Sequence, residues 1–266
     1  MTILITGANG NVSGAMLRHL DTQGVRVLVR DPAKAPQGVP VAIGDLDNPD
    51  SLTSVFEGVE VLWLLAPMGP RAPHQSSNAV WAARQAGVAH VVRLSAIGAA
   101  YDAPTRNGRL HALSDAELAG SGLNWTLIKP AAFMQNLIGS LVDGVLYGAT
   151  GEGRTGMIDV RDIAEFAVHV LSHPAPHAGR TYTLTGPASI SLRDAAAQVG
   201  AVYQPLTPAQ AYEAMRQAGL DESIASMGAE YASTYSTGWG DYVTTDFADV
   251  LGHAPRSFAQ FAHDQL

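Results

Sequence analysis

The sequence predicts an α/β fold, in which helices cover both faces of a doubly wound parallel sheet and a smaller C-terminal lobe follows. Short apolar runs alternate with amphipathic stretches, and most of the runs are continuously hydrophobic. Continuous hydrophobicity is typical of parallel strands that are buried on both faces. Short connections favour right-handed crossovers within one sheet. The predicted strands are 2–6, 25–30, 39–43, 59–66, 90–96, 124–130 and 180–186.

The amphipathic segments predict the helices that cover this sheet. Residues 11–23 carry apolar side chains at helical spacing, and Gly24 follows as a stop signal. Residues 78–87 and 161–174 have the same character, and Pro174 ends the second of them.

The regular alternation of strand and helix patterns ends near residue 187. We expect residues 1–186 to form the sheet domain and residues 187–266 to form a small lobe packed on it, with 131–158 contributing to the lobe. Residues 192–200 and 208–220 have helical patterns within that lobe.

Composition excludes several classes of function. Of the 266 residues, 47% are hydrophobic and 15% are charged, which provides material for a core and little for disorder. A formal net charge of -8 argues against binding to nucleic acid, and the lack of cysteine excludes disulfides and thiolate chemistry. No apolar run approaches roughly 18 residues, so neither a signal peptide nor a membrane span is predicted. We expect a cytoplasmic monomer or homodimer.

The segment "LITGANGNVSG" (4–14) predicts a phosphate-binding turn. Gly7 and Gly10 follow the first strand and lead into a helix, where glycines allow a sharp turn and exposed N–H groups bind a pyrophosphate. Ser13 occupies the slot of the third glycine, which serves only packing, and Gly14 comes one residue late. A lone glycine motif is weak evidence, but this position favours a Rossmann-type dinucleotide site over an ordinary turn. Its predicted residues are Gly7, Asn9, Gly10, Asn11 and Val12.

The end of the second strand predicts which dinucleotide binds. Arg30 at the strand end and Lys34 four residues later suit the 2′-phosphate of NADPH. Asp31 would suit NADH if the strand ended one residue later. We therefore expect NADPH, with NADH as the less favoured alternative.

From end to end, the chain resembles the NmrA-like family, whose members are atypical short-chain dehydrogenases/reductases. The resemblance depends on the order and spacing of segments of which none is diagnostic alone. These segments are "ILITGANGNVSG", "VLVRDPAKA", "GDLDNPDSL", "AARQAGVAHVVRLSAIGA", "SGLNWTLIKPAAFMQNL", "IDVRDIAEFAVHVL", "GRTYTLTGP" and "LGHAPRSFAQFAHDQL". The family includes NADPH-dependent quinone, triphenylmethane-dye and imine reductases, and proteins that bind NADP(H) only to sense redox state.

The resemblance implies further cofactor contacts beyond the glycine turn. It places Asp45 and Leu46 beside the adenine. It also places Ala66, Pro67 and Met68 next to the nicotinamide ribose, with Met68 on the substrate side.

The resemblance also implies a substrate wall made by Phe133, Met134 and Asn136. The tail adds aromatic side chains that either complete this wall or hold the lobe down, with Trp239 predicted to face the substrate. These aromatic residues are Tyr231, Tyr235, Trp239 and Tyr242.

The usual Tyr-x-x-x-Lys pair of such reductases is absent. The only lysines are Lys34 and Lys129, and the residues four positions earlier are Arg30 and Trp125. Reduction of a simple ketone gives a basic alkoxide that needs a positioned acid, whereas a quinone, iminium ion or cationic dye accepts hydride with little acid help. We therefore expect a planar conjugated acceptor, held mainly by positioning.

Two residues are candidates for catalysis. His111 lies on a segment that resembles the family's helix before the sixth strand, and a transition near physiological pH would suit a proton donor. The alternative is a partly exposed helix histidine. Ser95 follows the fifth strand and matches a serine that faces the nicotinamide in the superfamily, but it would equally serve to cap the next segment.

Other features predict structure rather than chemistry. His169, His173 and His177 are four residues apart, but prolines interrupt the helix and no metal site is expected. Asp159 and Asp162 are expected to cap and orient a helix.

Two functions remain open at this point. The favoured one is an NADPH-dependent reductase of a small planar acceptor, and the alternative is a non-catalytic NADP(H)-sensing regulatory protein. Fold and cofactor motifs do not separate them.

Overall fold

The computed structural model describes residues 1–266. Its strands are β1 (Ile3–Ile5), β2 (Val25–Val29), β3 (Val41–Ile43), β4 (Val61–Leu64), β5 (His90–Leu94), β6 (Asn124–Pro130), β7 (Leu141–Val142), β8 (Val145–Gly148), β9 (Arg154–Thr155), β10 (Arg180–Leu184), β11 (Ile190–Ser191) and β12 (Val202–Pro205). Its α-helices are α1 (Asn11–Leu17), α2 (Ala72–Ala86), α3 (Arg106–Gly120), α4 (Val160–Ser172), α5 (Leu192–Gln198), α6 (Pro208–Gln217), α7 (Glu222–Ser236), α8 (Asp246–Leu251) and α9 (Phe258–Gln265). Short 3₁₀ helices span Pro32–Lys34, Pro49–Leu52, Met134–Ser140 and Ala175–His177. No helix combines the length and the apolar character that crossing a bilayer requires.

The central sheet has seven parallel strands in the order β3-β2-β1-β4-β5-β6-β10. The predicted doubly wound α/β fold is confirmed, and all seven predicted strands lie in this sheet. The winding direction reverses between β1 and β4, which opens a crevice at the carboxyl ends of these two strands.

The continuous hydrophobicity of the strands follows from burial on both faces. Successive strand residues point to opposite faces, so Ile3 and Ile5 of β1 enter the core under α1 and α4, whereas Leu4 enters the core under α2 and α3. The edge strand β3 departs from this arrangement, because Val41 is 40% exposed and Ile43 is 60% exposed.

The first helix is shorter than its sequence pattern predicts. It ends at Leu17, and the N–H groups of Arg18 and His19 donate to the carbonyls three residues before them, which tightens the chain into a turn. This turn returns the chain to Val25 at the start of β2. The prediction of a helix to residue 23 was therefore wrong, because the periodicity continued through a non-helical turn. In contrast, α2 begins six residues before the predicted 78.

A smaller lobe lies beside the carboxyl ends of the sheet. It contains a three-stranded sheet, β12-β8-β7, and a two-stranded sheet, β11-β9. Its core joins residues from 134–157 with residues after 190, among them Leu146, Leu192 and Phe261. The domain boundary at 186 stays a prediction.

Candidate active site

The turn between β1 and α1 is built so that its backbone stays open to a ligand. Gly7 has φ +64°, and a Cβ there would lie 3.0 Å from the side chain of Leu65. A Cβ on Gly10, the residue that caps α1, would lie 3.2 Å from the carbonyl oxygen of Gly7. No side chain caps the first N–H groups of α1. Free N–H groups at a helix start suit the phosphates of a dinucleotide, so these residues fit such a group.

Ser13 explains why the late glycine is tolerated. Its side chain is fully buried, donates to the Thr6 carbonyl at 3.3 Å and accepts from the Trp63 indole N–H at 3.0 Å. The serine therefore ties α1 to β1 and β4. Gly14 has no such role, because a Cβ there would meet only the Ala8 carbonyl at 3.9 Å.

A cavity of about 630 Å³ opens above this turn. It brings together ten of the predicted site residues from four separate stretches of sequence. These are Gly7, Asn9, Gly10, Arg30, Lys34, Asp45, Leu46, Ala66, Pro67 and Met68. Sequence reasoning missed Thr6, Gly44 and Gln75, which also line it. The position of Gly44 directly after β3 could have identified it from the sequence. A Cβ at this residue would lie 3.1 Å from the side chain of Leu28 and 3.2 Å from that of Val55, so a glycine fits here better than a larger residue.

Two basic side chains, Arg30 and Lys34, lie at the end of β2 and line this cavity. The carboxylate of Asp31 accepts the Ala33 N–H at 3.0 Å and thereby caps the 3₁₀ helix that follows. Arg30 and Lys34 form no ion pair and are exposed at the cavity. Two unpaired cations are therefore available to an anion.

A second cavity of about 580 Å³ adjoins the first. The two share Leu65, Ala66 and Met68, just after β4. Apolar side chains dominate the second cavity. The predicted residues that line it are Asn11, Val12, Ser95, His111, Phe133 and Asn136, and sequence reasoning did not assign Arg93, Asn107, Tyr147 and Thr150 to it. Tyr231 and Tyr235 of the aromatic tail also line it.

Two predicted substrate contacts, Met134 and Trp239, line neither cavity. Met134 is 2% exposed and lies in the core of the lobe, because the chain turns after Phe133 and sends the next side chain inward. Trp239 packs on Gly98, where a Cβ would lie 2.2 Å from the indole, and contacts Tyr235 edge to face at 5.6 Å. Its position favours the other interpretation, in which it holds the lobe down.

A cluster of largely buried charges lies at the wall of the second cavity, and one of its members, Arg93, lines that cavity. The Asp115 carboxylate binds the Arg93 guanidinium, accepts from the Ser95 hydroxyl at 2.8 Å and lies 3.2 Å from the Lys129 ammonium. Lys129 also donates to the Ala99 carbonyl at 3.1 Å. We call Arg93, Asp115 and Lys129 together the Arg93–Asp115–Lys129 cluster. Sequence reasoning missed it as a unit.

His111 is neutral in this setting. Burial, followed by the positive charges of Arg93 and Lys129, lowers the pKa of His111 to about 3. The Arg93 guanidinium donates to Nδ1 at 3.3 Å, so Nε2 carries the ring proton. The expected protonation transition near physiological pH is therefore wrong, but the imidazole retains an N–H donor at the cavity.

The remaining sequence features have structural roles. His169 and His177 stack edge to face at 5.5 Å, and His177 bonds the Tyr182 hydroxyl at 2.8 Å. No group of three or more such side chains is arranged to hold a metal ion. Asp159 caps α4 by accepting the Arg161 N–H at 2.8 Å, and Asp162 binds Arg256.

Comparison with known proteins shows the family to which the chain belongs. The model of an NAD(P)H-binding family matches residues 7–174. The chain is 34% identical to an NAD(P)H azoreductase of Xenophilus azovorans, over 98% of this chain and 96% of the relative. It is 30% identical to quinone oxidoreductase 2 of Escherichia coli, over 97% and 96%.

A solved structure of the E. coli NADPH-dependent quinone oxidoreductase QOR2 with NADPH superposes with a TM-score of 0.86, at 28% identity, over 99% of both chains. Together with the family model and the two relatives, this bears out the resemblance that the motifs predicted. The chain belongs to the NAD(P)H-binding family, with a Rossmann-type fold of the NmrA-like kind.

Proposed function

We propose that this protein is an NADPH-dependent reductase that transfers a hydride to a planar conjugated acceptor, with quinones as the first class to test. The observation that carries the proposal is the adjacency of the two cavities, which share Leu65, Ala66 and Met68. The first has the features of a dinucleotide site, and the second is a largely apolar space that suits a flat organic molecule. The azo and quinone reductases among the relatives support the same chemistry.

Residues of the first cavity would hold the cofactor. The turn at Gly7 and Gly10 offers N–H groups to the pyrophosphate, and Arg30 and Lys34 bind the 2′-phosphate. Asp45 and Leu46 border the adenine. When bound, NADPH supplies the hydride.

Residues of the second cavity would hold the acceptor. Apolar walls such as Phe133 and Ile97 exclude water from it. The Ser95 hydroxyl already donates a hydrogen bond to Asp115, so Ser95 positions that carboxylate and does not act as an acid. The Nε2–H of His111 is then a donor for an oxygen that gains charge during reduction. A neutral N–H stabilises a phenolate but does not protonate an alkoxide efficiently, which agrees with a planar acceptor.

Steady-state turnover tests the proposal. The purified protein is assayed for loss of NADPH absorbance with a panel of quinones, azo dyes and cyclic imines. We expect turnover with at least one planar acceptor and none with simple aliphatic ketones. Tight NADP(H) binding with no turnover across the panel would overturn the proposal and favour a redox-sensing protein.

Arg30 should decide between the two nicotinamide cofactors. Arg30→Ser removes a charge-assisted contact with the 2′-phosphate, so we expect the Kd for NADPH to rise about 10- to 100-fold while that for NADH stays nearly constant. Titration calorimetry measures both values. Arg84→Ser on α2, which removes an exposed arginine away from both cavities, is the matched control. Equal losses of NADPH and NADH affinity in Arg30→Ser would contradict this assignment.

His111 should contribute as a neutral donor. His111→Phe removes the N–H, and we expect kcat with a quinone to fall about tenfold, with a smaller change in KM. Because the pKa of His111 is lowered to about 3, its imidazole stays neutral above that pH and should add no ionisation to the profile of kcat between pH 5 and 8. His111→Gln, which retains an N–H, should recover part of the rate. A wild-type transition near pH 6.5 that disappears in His111→Phe would refute the neutral-donor role.

A further inference from the structure

The Arg93–Asp115–Lys129 cluster contains two cations and one anion in a nearly dry environment. The side chains of Arg93, Asp115 and Lys129 are 3%, 8% and 17% exposed. One carboxylate oxygen binds Arg93, and the other binds Ser95 and Lys129. One acidic side chain is thus paired with two basic ones, of which the arginine keeps its charge in proteins, so the cluster carries one net positive charge.

No nearby group cancels this charge. Arg93 is the only charged side chain that lines the acceptor cavity, and no aspartate or glutamate lines it. Glu117 is the next carboxylate to influence Arg93, but it is exposed and accepts the Ser77 hydroxyl at 2.6 Å, so water screens it. The imidazole of His111 is neutral. The unbalanced charge therefore acts on whatever occupies the cavity.

The surroundings strengthen the effect of this charge. The cavity walls are mainly apolar, and a charge acts more strongly through a medium of low polarity than through water. The lowered pKa of His111, to which Arg93 and Lys129 both contribute, is consistent with a positive potential at the wall.

Candidate acceptors differ in how their charge changes on reduction. A neutral quinone that accepts a hydride, which is one proton with two electrons, becomes a hydroquinone monoanion. The C–H bond that breaks is that of the dihydronicotinamide, which is oxidised to NADP⁺. One proton from water then neutralises the hydroquinone anion. A triarylmethyl cation that takes up the same hydride forms one C–H bond at its central carbon and becomes neutral without a further proton. A positive wall therefore stabilises the first product and repels the second substrate.

We infer that the Arg93–Asp115–Lys129 cluster makes the acceptor cavity selective by charge, so that it favours quinones and planar aromatic anions over cationic dyes and iminium ions. This inference rests on the proposed function, whose broad class of planar acceptors it narrows. Lys129 is a specificity-determining residue that acts through the potential at the wall and does not itself line the cavity.

The preference for neutral over cationic acceptors is tested by a ratio of kcat/KM values. The kcat/KM for a neutral naphthoquinone is divided by that for crystal violet, a triarylmethyl cation, in wild type, Lys129→Met, Lys129→Arg and Arg84→Met. Removing the buried charge in Lys129→Met should lower the ratio by about tenfold. Lys129→Arg keeps the charge, and Arg84→Met removes an exposed one, so both should stay near the wild-type ratio. If Lys129→Met does not fold, Lys129→Gln, which retains a donor for the Ala99 carbonyl, takes its place.

Binding provides a readout that does not depend on turnover. With saturating NADP⁺ present, the Kd values of anthraquinone-2-sulfonate and crystal violet are measured by fluorescence. Lys129→Met should weaken the anion and strengthen the cation, each by severalfold. The inference is overturned if Lys129→Met changes neither the kcat/KM ratio nor the two Kd values. It is also overturned if the ratio rises while the anion binds more tightly and the cation more weakly. If binding moves as expected while no acceptor is reduced, the charge selectivity stands and the reductase function fails.

Discussion

Replacing Gly7 by valine is expected to weaken NADPH binding by about a hundredfold or more. Gly7 has φ +64°, a conformation that is strained for a β-branched residue, and its Cβ would lie 3.0 Å from Leu65. Relief of this strain must move the turn, which carries the N–H groups that would receive the pyrophosphate. Titration calorimetry with NADPH measures the loss.

Gly14→Ala is the control for this prediction. It lies in the same turn-and-helix segment, but its Cβ would have only one neighbour within 4 Å, the Ala8 carbonyl oxygen at 3.9 Å. We expect its NADPH affinity to stay within about twofold of wild type, since alanine also suits a helix better than glycine. Equal affinities in Gly7→Val and wild type would show that the turn does not carry the cofactor.

Replacing Asp115 by asparagine is expected to lower the free energy of unfolding by about 3–5 kcal/mol, because it leaves the Arg93 guanidinium buried without its counter-charge. The two side chains have nearly the same size, so no cavity contributes to this loss. Urea unfolding followed by circular dichroism measures it.

Glu152→Gln is the matched control for Asp115→Asn. Glu152 also pairs with an arginine, Arg193, but the two side chains are 69% and 57% exposed. Exposed ion pairs contribute little, so we expect no measurable change. If Asp115→Asn is as stable as Glu152→Gln, Asp115 is not the counter-charge that keeps the buried cluster in place.

The strands could be predicted because burial on both faces of the sheet requires runs of consecutive apolar residues. In β1, Ile3, Leu4 and Ile5 are all apolar because alternate residues enter two different cores. The end of α1 could not be predicted in the same way. Leu20 keeps the helical spacing and still packs on the core, although the backbone has already left the helix.

The cofactor cavity was largely predictable because its parts are short, local motifs. Each follows a strand, and the carboxyl ends of parallel strands meet at one edge of the sheet. Arg30 and Lys34 therefore reach the same cavity as Gly7, although they lie in different segments.

The buried cluster could not be read from any one motif because Arg93, Asp115 and Lys129 lie on β5, α3 and β6. The sequence nevertheless contained one indication. Arg93 and Lys129 are each the one arginine or lysine in a mainly apolar strand, and a cation buried in such a strand requires a partner of opposite charge. Asp115 has no comparable signal, because a carboxylate in a helix is usually solvated.

Single turnover tests most directly whether the two adjoining cavities carry out hydride transfer. The protein is loaded with one equivalent of NADPH, mixed rapidly with a quinone and followed by nicotinamide absorbance. We predict an exponential loss whose rate saturates with quinone concentration and slows when deuterium replaces the transferred hydrogen. A saturated NADPH complex whose absorbance stays constant with every planar acceptor would contradict the account.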